Sequence, residues 1–146
     1  MSYYDEQFAA WLHRETIDYK TIEQNRYENL ISSIKTMFPF SGSKIEWSKT
    51  ENPLNFSAKY RDDAFLEIAQ KSIKSTTEIL FIGDSLTAFG YRIKSADILS
   101  VLAEIFEIPQ HNYIFPQNLS WAACLSMEGD IDIGELPTIP NIESNS

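Results

Sequence analysis

The sequence predicts one α+β domain, in which N-terminal helices pack on a small, mainly antiparallel sheet. In the first half, most apolar residues recur at the three- and four-residue spacing of helices. In the second half, short apolar runs alternate with turn residues around a single helical segment, in the order β-α-β-β-β. Helices followed by strands are typical of an α+β domain with helices over one face of the sheet. We place the domain at residues 1–135 and predict a disordered tail over 136–146.

The first half contains three predicted helices. The first covers residues 5–15, and the second follows Thr21-Ile22-Glu23-Gln24, which fits a capping box, and ends before Pro39. The third covers about 63–74 and can be capped by Asp62 or Asp63. Residues 44–60 leave two interpretations open, because two short strands or an ordered loop would both fit the alternating apolar residues.

The second half begins with a short apolar run, Glu78–Ile82, that predicts a buried strand. Ser95 can cap the next helix, which must stop before Pro109. Three strand candidates follow: Tyr113–Phe115, Trp121–Met127 and a third that contains Ile131 and Ile133. In the second of these candidates, Trp121, Ala123, Leu125 and Met127 would share the face that packs on the core.

Negative charge is concentrated at the C-terminal end of a chain whose formal net charge is −9. The last basic residue is Lys94, and eight acidic residues follow it. This end would repel nucleic acid and anionic membranes, whereas a basic protein partner would be attracted to it. The alternative is an acidic solvated surface that only keeps the protein soluble.

The composition favours a cytoplasmic protein without a cofactor. Cys124 is the only cysteine, so no disulfide can form within the chain. It lies in an apolar run without metal ligands at a suitable spacing, and we expect no metal site. There is no apolar run long enough to span a membrane, and the acidic-aromatic N-terminus is unlike a secretory signal.

The segment ILFIGDSLT, residues 79–87, resembles the first sequence block of the GDSL hydrolases. The resemblance would make Ser85 a nucleophile and its backbone N–H an oxyanion donor. The family's G-x-N-D block is missing, and neither His13 nor His111 has the aspartate three residues earlier that its D-x-x-H block requires. We therefore interpret the match at Gly83–Thr87 as coincidental and expect no catalytic residues, with a GDSL-like esterase as the alternative.

A second resemblance covers about residues 78–135. The segment I-G-D after a strand, then IPQHNYIFP and LSWAACLSMEGDIDIG, resemble small acidic bacterial immunity proteins encoded beside contact-dependent or other polymorphic toxins. The resemblance implies a cytoplasmic protein that binds and neutralises a toxin and has no catalysis of its own. It identifies no individual binding residue.

The expected binding site is the strand-turn-strand segment 120–135, where acidic residues surround a turn. We predict that the partner-binding residues are Glu128, Asp130, Asp132, Glu135 and Trp121. The carboxylates would occupy the positions at which a basic toxin, for example a nuclease, binds the phosphates of its substrate. The tryptophan would be an aromatic anchor of the interface. The same segment could be an ordinary sheet edge made soluble by charge, in an uncharacterised regulatory or scaffold protein.

Overall fold

A computed structural model describes residues 1–137, which form four helices and nine strands. The helices are α1 (Tyr3–Arg14), α2 (Gln24–Met37), α3 (Arg61–Ser75) and α4 (Ile98–Phe106). The strands are β1 (Tyr19–Thr21), β2 (Phe40–Ser41), β3 (Lys44–Ile45), β4 (Glu51–Phe56), β5 (Glu78–Gly83), β6 (Tyr91–Lys94), β7 (Asn112–Pro116), β8 (Trp121–Leu125) and β9 (Ile131–Glu135). The predicted α+β class is confirmed.

Seven of the strands form one antiparallel sheet in the order β1-β6-β5-β7-β8-β9-β4, and β2 and β3 form a separate hairpin. The five central strands all come from the second half of the chain, as the sequence predicts for most of them. The two edge strands, β1 and β4, come from the first half. The N-terminal half therefore supplies helices and the two borders of a sheet whose centre lies later in the sequence.

The first face of the sheet packs on α1, α3 and α4 and forms the larger core. Alternate residues of β5, Ile79 and Phe81, point to this face and are fully buried. The ring of Phe8 from α1 packs edge-on against Phe81 and Tyr91, with ring centroids 5.4 and 5.0 Å apart. Edge-to-face packing of aromatic rings stabilises a core beyond the burial of their area.

The second face packs on α2 and on the β2–β3 hairpin. Leu80 and Ile82 of β5 point to this side and form a smaller core with Ile34 of α2 and with Phe38, the residue that follows the helix. The expectation that all helices cover one face was therefore wrong. The continuous apolar run of β5 is explained by burial on both faces, and such a run does not reveal which helix covers which face.

Strands β1 and β6 are not predicted from the sequence, and β4 lies in residues 44–60, for which the sequence leaves two short strands or an ordered loop open. Strand β6 alternates the buried apolar residues Tyr91 and Ile93 with basic residues, which is typical of a strand, but the pattern is only four residues long. Strand β4 contains Pro53, and proline is unfavourable in the middle of a sheet. In the structure Asn52 has a φ of 48° and the register against β9 shifts between Glu51 and Leu54. Proline is tolerated there because β4 is an edge strand with an irregular pairing.

The helix caps also differ from the prediction. Thr21 belongs to β1, and α2 has Glu23 at its N-cap without a side-chain hydrogen bond. A capping box forms instead at α1, where Ser2 and Asp5 satisfy each other's backbone N–H groups. A short pattern such as T-x-x-Q is a weak indication of a helix cap, because the same residues can also pair in a strand, as Thr21 does in β1.

The predicted strand Trp121–Met127 ends two residues earlier, at Leu125. All five residues of β8 are buried, since the sheet is covered on both sides here. Met127 lies in the following turn and is 64% exposed, so its assignment to the core was wrong. Residues 138–146, most of the predicted tail, lie outside the described residues, whereas the Leu136 N–H still donates to the Ser120 carbonyl. Across residues 1–137, every helix is too short or too polar to cross a membrane.

Candidate functional site

Three of the predicted acidic residues lie together at the start of β9, next to the edge strand β4. The side chain of Asn55 on β4 donates to Asp130 at 3.1 Å and to Asp132 at 2.8 Å. The Ser126 hydroxyl donates to the other oxygen of Asp130. Glu128 lies in the intervening turn, and its side chain is 64% exposed. We call Glu128, Asp130 and Asp132 the acidic turn; two of its carboxylates are held in place by hydrogen bonds.

The three carboxylates differ electrostatically because their surroundings differ. The hydrogen bond from Ser126 lowers the pKa of Asp130, and the bond from Asn55 adds to this effect. Burial raises the pKa of Asp132, and the negative charge of Asp130 raises it further. Asp130 is therefore the more firmly ionised of the pair. A positive charge docked beside Asp132 would relieve its repulsion with Asp130.

Glu135, which we assigned to the same cluster, lies apart from it. Residues 132 and 135 of a strand point to opposite faces, and Glu135 points toward α3. Its carboxylate forms an ion pair with Lys71 at 2.8 Å and accepts from the Asn52 side chain at 2.7 Å. These contacts lower the pKa of Glu135, the hydrogen bond from Asn52 most strongly. Its charge is already compensated within the fold.

Trp121 does not fit the predicted role of a surface anchor. Its side chain is only 3% exposed, and its indole N–H donates to the Ser75 hydroxyl at 3.0 Å. It packs in the core of the first face, so removing it would damage the fold before it affected a partner. The strand pattern indicated an inward face, but not that the helices would close over it.

A row of directly paired residues connects the acidic turn to the middle of the second face. The row runs across five strands through Ile82, Tyr113, Cys124, Asp132 and Asn55. Tyr113 is half-buried, and burial together with the adjacent Cys124 raises the pKa of its phenol. Burial also raises the pKa of the Cys124 thiol, which therefore stays protonated and unreactive at neutral pH.

Beside Tyr113 the second face opens into a groove of about 880 Å³ between α2, the β2–β3 hairpin and strands β5 and β7. We call it the hairpin groove. Its lining includes Tyr27, Ile31, Phe40, Ile82, Asp84 and Tyr113. Apolar floors with a few polar groups are typical of binding sites. Tyr113 links the groove to the acidic turn through the row described above.

Sequence reasoning missed three residues of this region: Asn55, Asp84 and Tyr113. Asn55 reaches the acidic turn from a position 75 residues earlier, and only the pairing of β4 with β9 brings it there. Tyr113 was expected in a strand, but which face it would occupy depended on the register. Asp84 was considered only within the GDSL match. Asn55, Asp84 and Tyr113 are far apart in the sequence, and no local pattern indicates that they lie in the same region of the structure.

The loop after β5 contains Ser85, the nucleophile of the alternative hydrolase hypothesis. Its hydroxyl donates to Asp84 at 3.2 Å. The His111 ring accepts at Nδ1 from the Met127 N–H at 3.2 Å and lies 4.0 Å from Glu128. A serine nucleophile requires a hydrogen bond to its general base. Ser85 and His111 are instead bonded to other groups and not to each other.

The side chain of Gln110 occupies the position that an oxyanion would take in this loop. Its Oε1 accepts from the backbone N–H groups of Ser85, Leu86 and Thr87 at 3.2, 2.6 and 3.2 Å. Gln110 is 1% exposed, and a Cβ at position 83 would lie 2.0 Å from its Nε2. Glycine is therefore required at Gly83 by the close approach of Gln110, which explains part of the GDSL match structurally.

Among residues 1–137, no three or more His, Cys, Asp or Glu side chains are arranged to hold a metal ion. The candidate site is thus a carboxylate surface beside an aromatic groove, which can attract and seat a cationic partner. No protein-family model and no curated protein matches this chain.

Proposed function

We propose that this chain is a non-enzymatic, protein-binding inhibitor: an immunity protein that neutralises a cytosol-acting bacterial toxin in the cytoplasm. The observation that carries the proposal is the acidic turn, in which hydrogen bonds hold Asp130 and Asp132 two strands away from Tyr113 of the hairpin groove. A basic toxin, such as a nuclease, has the charge that this surface would attract. The resemblance of residues 78–135 to immunity proteins points to the same class.

The mechanism would be occlusion of the toxin's active site. Asp130 accepts from Ser126 and Asn55, so little side-chain entropy is lost when a cation docks on it. Tyr113 replaces Trp121 as the aromatic candidate for the centre of the interface, because it is half-buried at the groove. Tyrosines at the centre of an interface often carry much of its binding energy.

The absence of catalysis is part of the proposal, and the Ser85 loop supports it. The N–H that would stabilise an oxyanion is bonded to Gln110, and the Ser85 hydroxyl is bonded to Asp84. We expect no labelling by a fluorophosphonate probe and no turnover of short-chain p-nitrophenyl esters. Labelling that disappears in Ser85→Ala would instead establish the esterase alternative.

The direct test is protection against the toxin domain encoded beside this chain's gene. The test variant is Glu128→Gln/Asp130→Asn/Asp132→Asn, which removes three charges while keeping the shape of the hydrogen-bonding groups. Reversal to lysine is unsuitable, because Asp132 is half-buried and bonded to Asn55. We expect slower association, a weaker salt dependence of the association rate, and loss of protection in cells that express the toxin.

The matched control is Asp62→Asn/Asp63→Asn/Glu107→Gln, which removes three exposed charges elsewhere. It should protect as well as the unmodified chain. Equal protection by both triple variants, or an adjacent gene without a toxic product, would contradict the proposed function. In that case a regulatory or scaffold protein with a merely solvated acidic edge would explain the sequence better.

A further inference from the structure

A second cavity lies on the other side of α2, away from the hairpin groove. It has a volume of about 460 Å³ and is formed by α2, β1, β6 and the neighbouring part of β5. The two cavities contact different stripes of the same helix: Arg26, Leu30 and Ser33 on this side, and Tyr27, Ile31 and Ile34 on the other. We call this second cavity the cationic cleft.

Three of the chain's 12 Lys and Arg residues line the cationic cleft: Lys20, Arg26 and Arg92. Lys20 and Arg92 are direct neighbours across β1 and β6, and Arg26 faces them from α2. One acidic residue, the exposed Glu23, also belongs to the lining. Like charges directly opposite each other on neighbouring strands are unfavourable, and an anion bound between these cations would relieve their repulsion.

The fold compensates only one of the three cations. Arg92 donates through one nitrogen to Glu78 at 2.6 Å, and the Gln117 side chain donates to the same carboxylate oxygen at 3.1 Å. The guanidinium keeps further N–H donors for a ligand, while Glu78 fixes its position. Neither Lys20 nor Arg26 forms an ion pair with any residue in 1–137.

The other walls of the cleft are suited to an organic ligand. Asn29, Ser33 and Gln117 add neutral hydrogen-bonding groups, and Ile22, Leu30 and Leu80 form an apolar side. A volume of about 460 Å³ falls in the range of small-molecule sites. Arginine and lysine together are the usual partners of phosphate groups.

We propose that the cationic cleft binds a phosphate-bearing small molecule of nucleotide size. Arg26 and Lys20 would contact the phosphates, with Arg92 held beneath them by Glu78. The apolar side formed by Ile22, Leu30 and Leu80 would contact the nucleoside. This site is separate from the acidic turn and does not depend on the proposed inhibition of a toxin.

The test is calorimetric titration of the full chain with ATP and, separately, with inorganic pyrophosphate at low ionic strength. We expect saturable one-to-one binding, with a Kd for ATP of about 0.1–1 mM and weaker binding of pyrophosphate. Lys20→Ala/Arg26→Ala should raise the Kd for ATP at least about tenfold, because two charge-assisted contacts are lost. Amide NMR shifts on adding ATP should concentrate at residues 20–33.

The control variant is Lys59→Ala/Lys74→Ala, which removes the same two charges from exposed positions outside the cleft. Its Kd for ATP should stay within about twofold of the unmodified chain. The absence of saturable binding, or equal weakening in both double variants, would overturn the proposal. Pyrophosphate binding as tight as that of ATP would overturn the nucleoside contact.

Discussion

The two faces of the sheet are covered to different extents. On the first face, three helices seal a continuous core in which Phe81, Tyr91 and Ile93 have no exposed surface. On the second face, α2, the β2–β3 hairpin and the segment 47–50 cover the sheet incompletely and leave the hairpin groove and the cationic cleft on either side of α2. A sealed face leaves no room for a partner. We infer that stability depends mainly on the first face, and recognition on the second.

Consecutive residues of β5 offer the sharpest test of this difference. Ile79 is fully buried in the first face, whereas Leu80 is 7% exposed on the second and lines the cationic cleft. Ile79→Ala should cost about 4 kcal/mol, because it leaves a closed cavity, and Leu80→Ala about 2 kcal/mol, because water can enter from the cleft. Urea unfolding measures both, and equal losses would contradict the comparison.

The next largest effect is expected at Asp5, which ties α1 to the loop after β5. Asp5 is fully buried, and it accepts from Ser2, from the Tyr91 hydroxyl and from the Ala88 N–H at 2.7 Å. Asp5→Ala would leave these donors without a partner and should cost about 3 kcal/mol in urea unfolding. A loss under about 0.5 kcal/mol, the usual size for surface positions, would show that this network is dispensable.

Asp5 also makes the stability depend on pH. Burial alone would raise its pKa, but the hydrogen bonds from Ser2, Tyr91 and Ala88 outweigh burial and hold the pKa below its usual 3.8. Its charged form therefore stabilises the fold fully above pH 3.8, and this contribution is lost as the pH falls through the lower folded pKa. The stability advantage over Asp5→Asn should shrink only at these acidic pH values, as measured by thermal unfolding.

On the second face, we expect that the ionised carboxylate of Asp132 destabilises the fold slightly, whereas that of Asp5 stabilises it. Burial and the charge of Asp130 raise the pKa of Asp132 above 3.8, so its ionised form costs stability at neutral pH. Asp132→Asn should stabilise the fold at pH 7 by about 0.5 kcal/mol, since the site is only half-buried. The stability gained in Asp132→Asn should disappear as the pH falls through the raised pKa of Asp132, as measured by urea unfolding at several pH values. A variant that is less stable than the unmodified chain at pH 7 would contradict the prediction.

The sequence predicted the parts of the fold that depend on local periodicity. The apolar spacing of residues 27–38 and 98–106 indicated helices, and the run at Glu78–Ile82 indicated a strand. Periodicity does not reveal which face of the sheet a helix covers, so the position of α2 was wrong. The hairpin groove and the cationic cleft exist because α2 packs on the second face of the sheet. The sequence therefore predicted neither of them.

The candidate site was predictable only in part for a similar reason. The acidic residues of the 128–132 turn are adjacent in the sequence, and the structure keeps them together. Side chains of a strand alternate between the two faces of the sheet, so Glu135 points to the face opposite Asp132. Its ion-pair partner, Lys71, comes from α3, which is distant in the sequence. Tyr113 and Asn55 join Asp132 through cross-strand pairs, which depend on the register of three strand pairings.

The origin of the edge strands has a consequence for the order of events during synthesis. Strands β1 and β4 are made early, but their partners β6 and β9 follow about seventy and eighty residues later in the chain. At about 5–20 residues per second, β4 waits several seconds on the ribosome for β9. Throughout that interval its apolar positions have no sheet to join, and a nascent chain stalled at residue 77 should bind chaperones that the completed chain does not. The edges of this sheet are synthesised before its centre exists.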